Sequence, residues 1–326
     1  MTQYPLTMYG IRELKPGPRW RAFFDATWPA YRRWYLSEGR AARPGLRTAG
    51  AALAHHMPEL LPTWGQLSEQ TGHDLDAAAL LTHWNLPTFL PAGCSQVVTP
   101  DPKPSLLRNY DYAPALFEGV SISTDYLQPV IGTSDCLWGL LDGMNGSGLV
   151  VSLTFGGERT VGEGFGIPLV VRYLLETCQR VDEAVSALRR LPISMSYNLT
   201  MLDAEGAVGT AHVGPGRTVE FSEQPCATNH RWRTPLDPAH AARFRSVQRL
   251  DHLDDLLDHR ASADDIALSM LQKPLYSREF SQSFGTLFTA DYRPAEQSVT
   301  YHWPELSWTR TFDSPDATVD VVLADA

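Results

Sequence analysis

Along the first ninety residues the apolar positions follow a helical rhythm. From Trp20, the residues Phe23, Phe24, Trp28, Tyr31 and Tyr35 recur at three- and four-residue steps, which lines them on one helix face. "LRTAGAALAHHMPELLPTWGQLSEQTG" and "HDLDAAALLTHWNL" continue the pattern between Gly and Pro breaks, and Asp74 stands where an N-cap belongs. The pattern predicts a helical segment over residues 1–93. After Pro91 the period shortens. "SQVVTP", "SLLRNYDY", "VSISTDYL" and "GLVVSLTF" are short β-rich runs divided by Asn, Asp and Gly.

Two helices are expected next, "PLVVRYLLETCQ" from Pro168 and "VDEAVSALRRL", the latter with Val181, Ala184, Val185 and Leu188 on one stripe. Strands return in "YNLTMLD", "AVGTAHV" and "TVEFS", with "DAEG" and "GPGR" as turns. "ARFRSVQRLDHLDDLLDH" and "ADDIALSMLQ" read as helices, and "FGTLFTADY", "SVTYHW" and "ATVDVVLA" as closing strands. Helices and strands come in blocks rather than in strict alternation. That favours an α+β class over a doubly wound fold, and two antiparallel sheets between helix layers would fit.

Composition narrows the partners. The 326 residues are 43% hydrophobic and 20% charged, ordinary for a globular protein with a full core. The net charge of −10 repels phosphate backbones, and the basic stretches "RRWYLSEGRAAR" and "ARFRSVQR" are short and mixed with apolar residues. Nucleic acid is therefore not an expected partner. No apolar run approaches the ~18 residues of a membrane span. The start lacks the charged and apolar regions of a secretory signal. Cys94, Cys136, Cys178 and Cys226 are scattered without a CxxC pair, so reduced thiols and a cytoplasmic location are the expectation.

Most chemical signals are weak. His55 and His56 are adjacent and would point about 100° apart on a helix, while His212 and His230 lack ligands at useful spacing. No metal site is expected. "GGERTVGEGFG" matches no phosphate-binding glycine pattern and reads as a loop before a helix. Cys94 is different. It follows Gly93 at the junction between the helical head and the β-rich body, and no histidine is well spaced to activate it. Cleavage of the Gly93–Cys94 bond would supply a base. The new α-amino group, with a pKa of roughly 8, would sit on the same residue as a thiol of roughly 8.5.

In this order the segments "GCS", "LLRNYDY", "LDGMNGSGLVVSLTF", "NLTMLDAEG", "ATNH", an arginine-bearing helix and a late "FGTLFTADY" carry a resemblance. The chain resembles the N-terminal-nucleophile hydrolases, specifically the acyl-coenzyme A:6-aminopenicillanic acid acyltransferase group. Bile-salt hydrolase, penicillin V acylase and acid ceramidase are more distant relatives. The resemblance implies a four-layer αββα sandwich, made as a precursor that cuts itself between Gly93 and Cys94. It implies an N-terminal fragment of residues 1–93, a catalytic body of residues 94–326, and a heterodimer of the two. Whether that heterodimer assembles further stays open.

By the same resemblance Cys94 is the autoproteolytic and catalytic nucleophile. Asp111 holds the amine and thiol, and Arg108 fixes that carboxylate and tunes the thiolate. The Thr154 N–H and the Asn229 amide form the oxyanion hole. A last arginine belongs in or before the next helix, where Arg243 and Arg245 compete and Arg243 is preferred. No cofactor is implied, although an acyl-coenzyme A could be a co-substrate. The substrate class is a small linear amide or acyl thioester, and hydrolysis and acyl transfer differ only in the acceptor. Two alternatives remain open at this point: an uncleaved cysteine amidase, and a non-catalytic relative that binds an acyl or peptide ligand. Taken singly, Arg108 and Asp111 read as a strand-end pair and Asn229 as a turn residue.

Overall fold

The computed structural model describes residues 2–89, 93–231 and 235–325. Pro91, where the period changes, lies outside the described residues. The strands are β1 (Gln3–Arg12), β2 (Gly93–Val98), β3 (Leu106–Tyr112), β4 (Val120–Asp125), β5 (Pro129–Asp135), β6 (Gly139–Asn145), β7 (Val150–Phe155) and β8 (Tyr197–Leu202). They continue as β9 (Val208–Val213), β10 (Glu220–Ser222), β11 (Cys226–Ala227), β12 (Arg278–Glu279), β13 (Phe284–Arg293), β14 (Ser298–Trp303), β15 (Leu306–Thr311) and β16 (Ala317–Ala324). The helices are α1 (Pro18–Tyr35), α2 (Leu46–His56), α3 (Leu61–Gln70), α4 (Leu75–Leu80), α5 (Ile167–Thr177) and α6 (Val181–Leu188), then α7 (Pro238–Arg243), α8 (Ser246–Asp258) and α9 (Ala263–Met270).

Two sheets stack face to face. The larger runs β10-β9-β8-β7-β6-β5-β4-β1-β16, and the smaller β11-β2-β3-β13-β14-β15 with β12 beside β13. Between them lies a core that includes Met8, Cys94, Tyr110, Met144, Phe288 and Tyr301. The outer face of the larger sheet packs against helices α1–α6 through Trp20, Phe24, Leu53, Leu80, Leu174 and Leu188. The outer face of the smaller sheet packs against α8 and α9 through Val97, Leu107, Leu250, Leu253, Ile266 and Met270. The result is an α+β fold of four layers, αββα, as a sheet with two apolar faces requires. No described helix is long and apolar enough to cross a membrane.

The head of the chain departs from the helical expectation. Residues Gln3–Arg12 form a strand, and it sits inside the larger sheet: antiparallel to β16 from Gln3↔Ala324 to Gly10↔Ala317, and parallel to β4 from Tyr9↔Val120 to Arg12↔Ser123. Leu6, Met8 and Gly10 are buried in alternation while Pro5 and Tyr9 are exposed, which is the period of a strand. That short alternation, interrupted by Pro5, precedes a much longer helical pattern and was masked by it. The remaining expectations for the head hold locally. Asp74 caps α4, its carboxylate accepting from the N–H groups of Asp76 and Ala77.

Candidate active site

Gly93 and Cys94 open β2, and the ladder with β3 sets what surrounds them. Gly93 faces Asp111, Cys94 faces Tyr110, Ser95 faces Asn109 and Gln96 faces Arg108. Paired residues share a sheet face and successive residues alternate. Cys94, Tyr110, Gln96 and Arg108 therefore point between the sheets, whereas Ser95, Asn109 and Asp111 point to the helical layer of α7–α9. Asn109 agrees with that geometry, donating to the carbonyls of Met270 and Leu275.

On the inner face, Arg108 Nη2 lies 3.6 Å from Cys94 Sγ. The arginine is fully buried, and its charge is met by Asp142 Oδ2 at 2.6 Å. Asp142 is itself held by the hydroxyls of Thr133 (2.7 Å) and Tyr292 (2.6 Å). Such a charge-assisted network leaves Arg108 little freedom to turn away from sulfur. Burial pushes the Cys94 thiol up, and Arg108, the Asp111 N–H and Arg249 pull it back.

On the outer face, Asp111 Oδ1 accepts from the Thr286 hydroxyl at 2.7 Å, while its buried Oδ2 has no partner. Burial raises its pKa to about 6, against the pull of Arg249 and the Thr286 bond. Arg249, from α8, reaches the same place. It donates to Ser95 Oγ (2.7 Å), Asn229 Oδ1 (2.7 Å), the Phe244 carbonyl (2.9 Å) and the Cys94 carbonyl. No carboxylate forms an ion pair with Arg249 among the described residues, so a buried positive charge stands against the Cys94 peptide unit. Asn229 Oδ1 also accepts the Cys94 N–H at 2.8 Å, and Asn229 Nδ2 donates to the Phe155 carbonyl at 3.4 Å. The turn that carries Asn229 is pinned next door: the Thr228 carbonyl accepts from Thr154 Oγ1 and Asn198 Nδ2, both at 2.8 Å.

Gly93 has a steric reason. A Cβ there would stand 2.3 Å from Phe284 Cε2 and 2.9 Å from Phe244 Cδ1, closer than van der Waals contact with either ring allows. The bond between Gly93 and Cys94 thus lies beneath Phe284, Phe244 and Arg249, whose guanidinium sits 5.9 Å from the Phe284 ring centroid. A cavity of about 390 Å3 opens on Cys94 and is lined by α1, β3 and β5–β8 residues, among them Trp34, Tyr110, Asp135, Leu141 and Phe155.

Cys94, Arg108, Asp111 and Asn229 are brought together as the sequence suggested, but three expectations change. Arg108 pairs with Asp142 rather than Asp111, because the strand's alternation puts the two on opposite sheet faces. Thr154 does not aim its N–H at the site. Gly156 N–H donates to the Ser196 carbonyl, so by two-residue alternation the Thr154 N–H enters the ladder to β8, and Phe155 is the residue whose backbone groups face Asn229. Arg243 and Arg245 bond elsewhere, Arg243 to the Gln282 carbonyl and Arg245 to Glu279, while Arg249 is the arginine that reaches the Cys94 carbonyl and Asn229. Arg249 shares the buried stripe Ser246, Arg249, Leu250 and Leu253 of α8. A charge at an apolar helical position was the signal available in the sequence. Asp142 lay in the "DGMN" segment without an assigned role.

All four cysteines are buried. Among the described residues no group of three or more His, Cys, Asp or Glu could hold a metal ion.

Solved structures with a similar trace include a mutant of conjugated bile acid hydrolase from Clostridium perfringens, at 13% identity and a TM-score of 0.45, covering 69% of this chain and 96% of that one. Penicillin V acylase from Agrobacterium tumefaciens is 12% identical with a TM-score of 0.44, covering 67% and 84%. The N-acylethanolamine-hydrolyzing acid amidase ortholog of Caenorhabditis elegans is 15% identical with a TM-score of 0.47, covering 67% and 100%. No curated protein matches the sequence. The model of one family matches residues 98–308, from just beyond Cys94 to β15. The chain belongs to the acyl-coenzyme A:6-aminopenicillanic acid acyl-transferase family.

Proposed function

We propose that the chain is a self-processing cysteine amidohydrolase or acyltransferase that works through a Cys94 acyl-enzyme. In maturation the Cys94 thiol attacks the Gly93 carbonyl carbon; the S–C bond forms, the C–N bond breaks, and the sulfur's proton ends on the departing nitrogen. Water then hydrolyses the thioester, giving the Gly93 carboxylate, the free thiol and an α-amino group on Cys94. The observation that carries this reading is the unpaired, buried Asp111 Oδ2 across the ladder from Gly93. A buried acceptor without a donor costs about 1–3 kcal/mol. Cleavage would create an ammonium with three donors beside it.

In turnover, Cys94 attacks the carbonyl of an amide or thioester, and a coenzyme A thioester would serve as acyl donor. Asn229 Nδ2 and the Phe155 N–H stabilise the oxyanion, with the Arg249 charge behind them, and the α-amino group passes a proton to the leaving amine. Water or an acceptor amine then releases the acyl group. The mature protein is a heterodimer of fragments 1–93 and 94–326.

Intact mass under denaturing conditions tests this directly. Wild-type protein is expected to give two fragments dividing between Gly93 and Cys94, and Cys94→Ala a single full-length chain. A full-length mass for both after long incubation would favour an uncleaved amidase or a binding protein instead.

A further inference from the structure

The cavity that opens on Cys94 is apolar along most of its wall, with Ala30, Trp34, Phe89, Leu116 and Phe117 against it. One corner is different. Asp135, at the end of β5, lies close enough to Tyr110, Tyr112 and Tyr197 for its charge to act on all three phenols. Tyr110 and Tyr197 are only 5% and 6% exposed, and all three residues line the cavity. Among the described residues, none of the three hydroxyls has a hydrogen-bond partner, and no side chain pairs with the Asp135 carboxyl.

The neighbouring charges are already committed. Glu118 accepts from the Leu137 N–H at 2.8 Å, from the Ser134 hydroxyl at 2.7 Å and from the Tyr31 hydroxyl. Arg108 is held by Asp142. Among the described residues lining this corner an anionic ligand would find no uncommitted cation, only two acids. The Tyr110 and Tyr197 side chains are nine-tenths buried and their hydroxyls have no protein partner, so a ligand in the cavity can take up their hydrogen bonds.

We propose that this corner binds a protonated amine on the substrate arm held in the cavity, with Asp135 as the specificity-determining carboxylate. The proposal rests on the reading of Cys94 as nucleophile only in calling that molecule a substrate. An ammonium offers three donors to carboxylate and phenol oxygens, while the Tyr110 face is already taken by the Arg108 guanidinium, 4.6 Å from the ring centroid. Burial and then Glu118 hold the Asp135 carboxyl well above its usual range, and a cation is the ligand that relieves this. Tyr110 is the ladder partner of Cys94, so the amine stands a short arm from the reacting carbonyl, and the apolar wall beyond takes methylenes.

Binding to the Cys94→Ala protein reads the corner without any turnover. Calorimetry would compare n-alkylammonium chlorides of four to eight carbons with primary alcohols of the same lengths. At the best length the ammonium is expected to bind about tenfold tighter or more. Asp135→Asn in the same background removes that preference and keeps alcohol binding, and Tyr112→Phe reduces it in part. Equal or tighter binding of the alcohol, or a preference that survives Asp135→Asn, overturns the proposal. If Asp135→Asn does not fold, an unchanged preference in Tyr112→Phe overturns it. Loss of self-cleavage in wild type with the ammonium preference intact would count against the Cys94 reading, not against the corner.

Discussion

At the scale of single residues the site depends on which arginine is buried. Arg108 and Arg249 are both fully buried, but they are stabilised differently: Arg108 by a carboxylate, Arg249 by four oxygens that carry no full charge. Burial lowers the Arg249 pKa for that reason. Its planar fork bridges Ser95, Asn229 and the Cys94 carbonyl at once, which a lysine's point charge cannot do. Arg249→Lys is therefore expected to slow self-cleavage by about a hundredfold or more. Arg243→Ala, at an exposed position, should stay within about threefold of wild type. Gel densitometry of the precursor over time after expression would separate the two. A normal rate in Arg249→Lys would remove that residue from the mechanism.

At the scale of elements, strand β1 ties the head to the body. It contributes ladders on both edges, to β16 and to β4, so its removal would leave an open slot inside a nine-stranded sheet. Helix α1 adds a wall of the cavity through Ala26, Ala30, Tyr31 and Trp34. Through β1 and α1 the head is built into both the sheet and the cavity, and cleavage should not release it. Processed protein is expected to elute as one species in native gel filtration and to separate into two chains only in denaturant. Native separation, with the 94–326 fragment remaining folded, would contradict this.

At the scale of the whole molecule, several buried histidines stay neutral. Burial lowers His83 to about 3 and His212, His230 and His240 to about 4. The unfolded chain binds a proton at each near pH 6.5 while the fold refuses it, so their contribution is fully present above 6.5 and is lost as pH falls towards the folded values. Asp111 acts in the opposite sense, since its pKa is raised. A single site is therefore the cleaner test. His83 adopts φ +52°, a conformation Asn tolerates, so His83→Asn removes the titration while keeping the backbone. In the uncleaved Cys94→Ala background, the stability of wild type relative to that variant should fall by about 1.4 kcal/mol per pH unit below 6.5. Urea unfolding at pH 7, 6 and 5 measures it. Parallel stability curves would show that His83 does not titrate on unfolding.

What the sequence determined by itself was what depends on period and order. The switch from helical to strand rhythm near Pro91, the stripe of α6, the Asp74 cap and the segments around Cys94, Arg108, Asp111 and Asn229 are local patterns, and they survive in the fold. What only the tertiary structure decided was which face and which neighbour each residue met. Alternation along β3 split Arg108 from Asp111 and gave the arginine to Asp142, thirty-four positions away in sequence. Pairing with β8 turned the Thr154 amide away from the site. Packing of α8 on β2 selected Arg249 over two nearer arginines, and closure of the larger sheet drew ten residues of a helical head into a strand. Periodicity is read along one dimension, whereas a hydrogen-bond partner is fixed by contacts between segments far apart in the chain, and these exist only once the sheets have stacked.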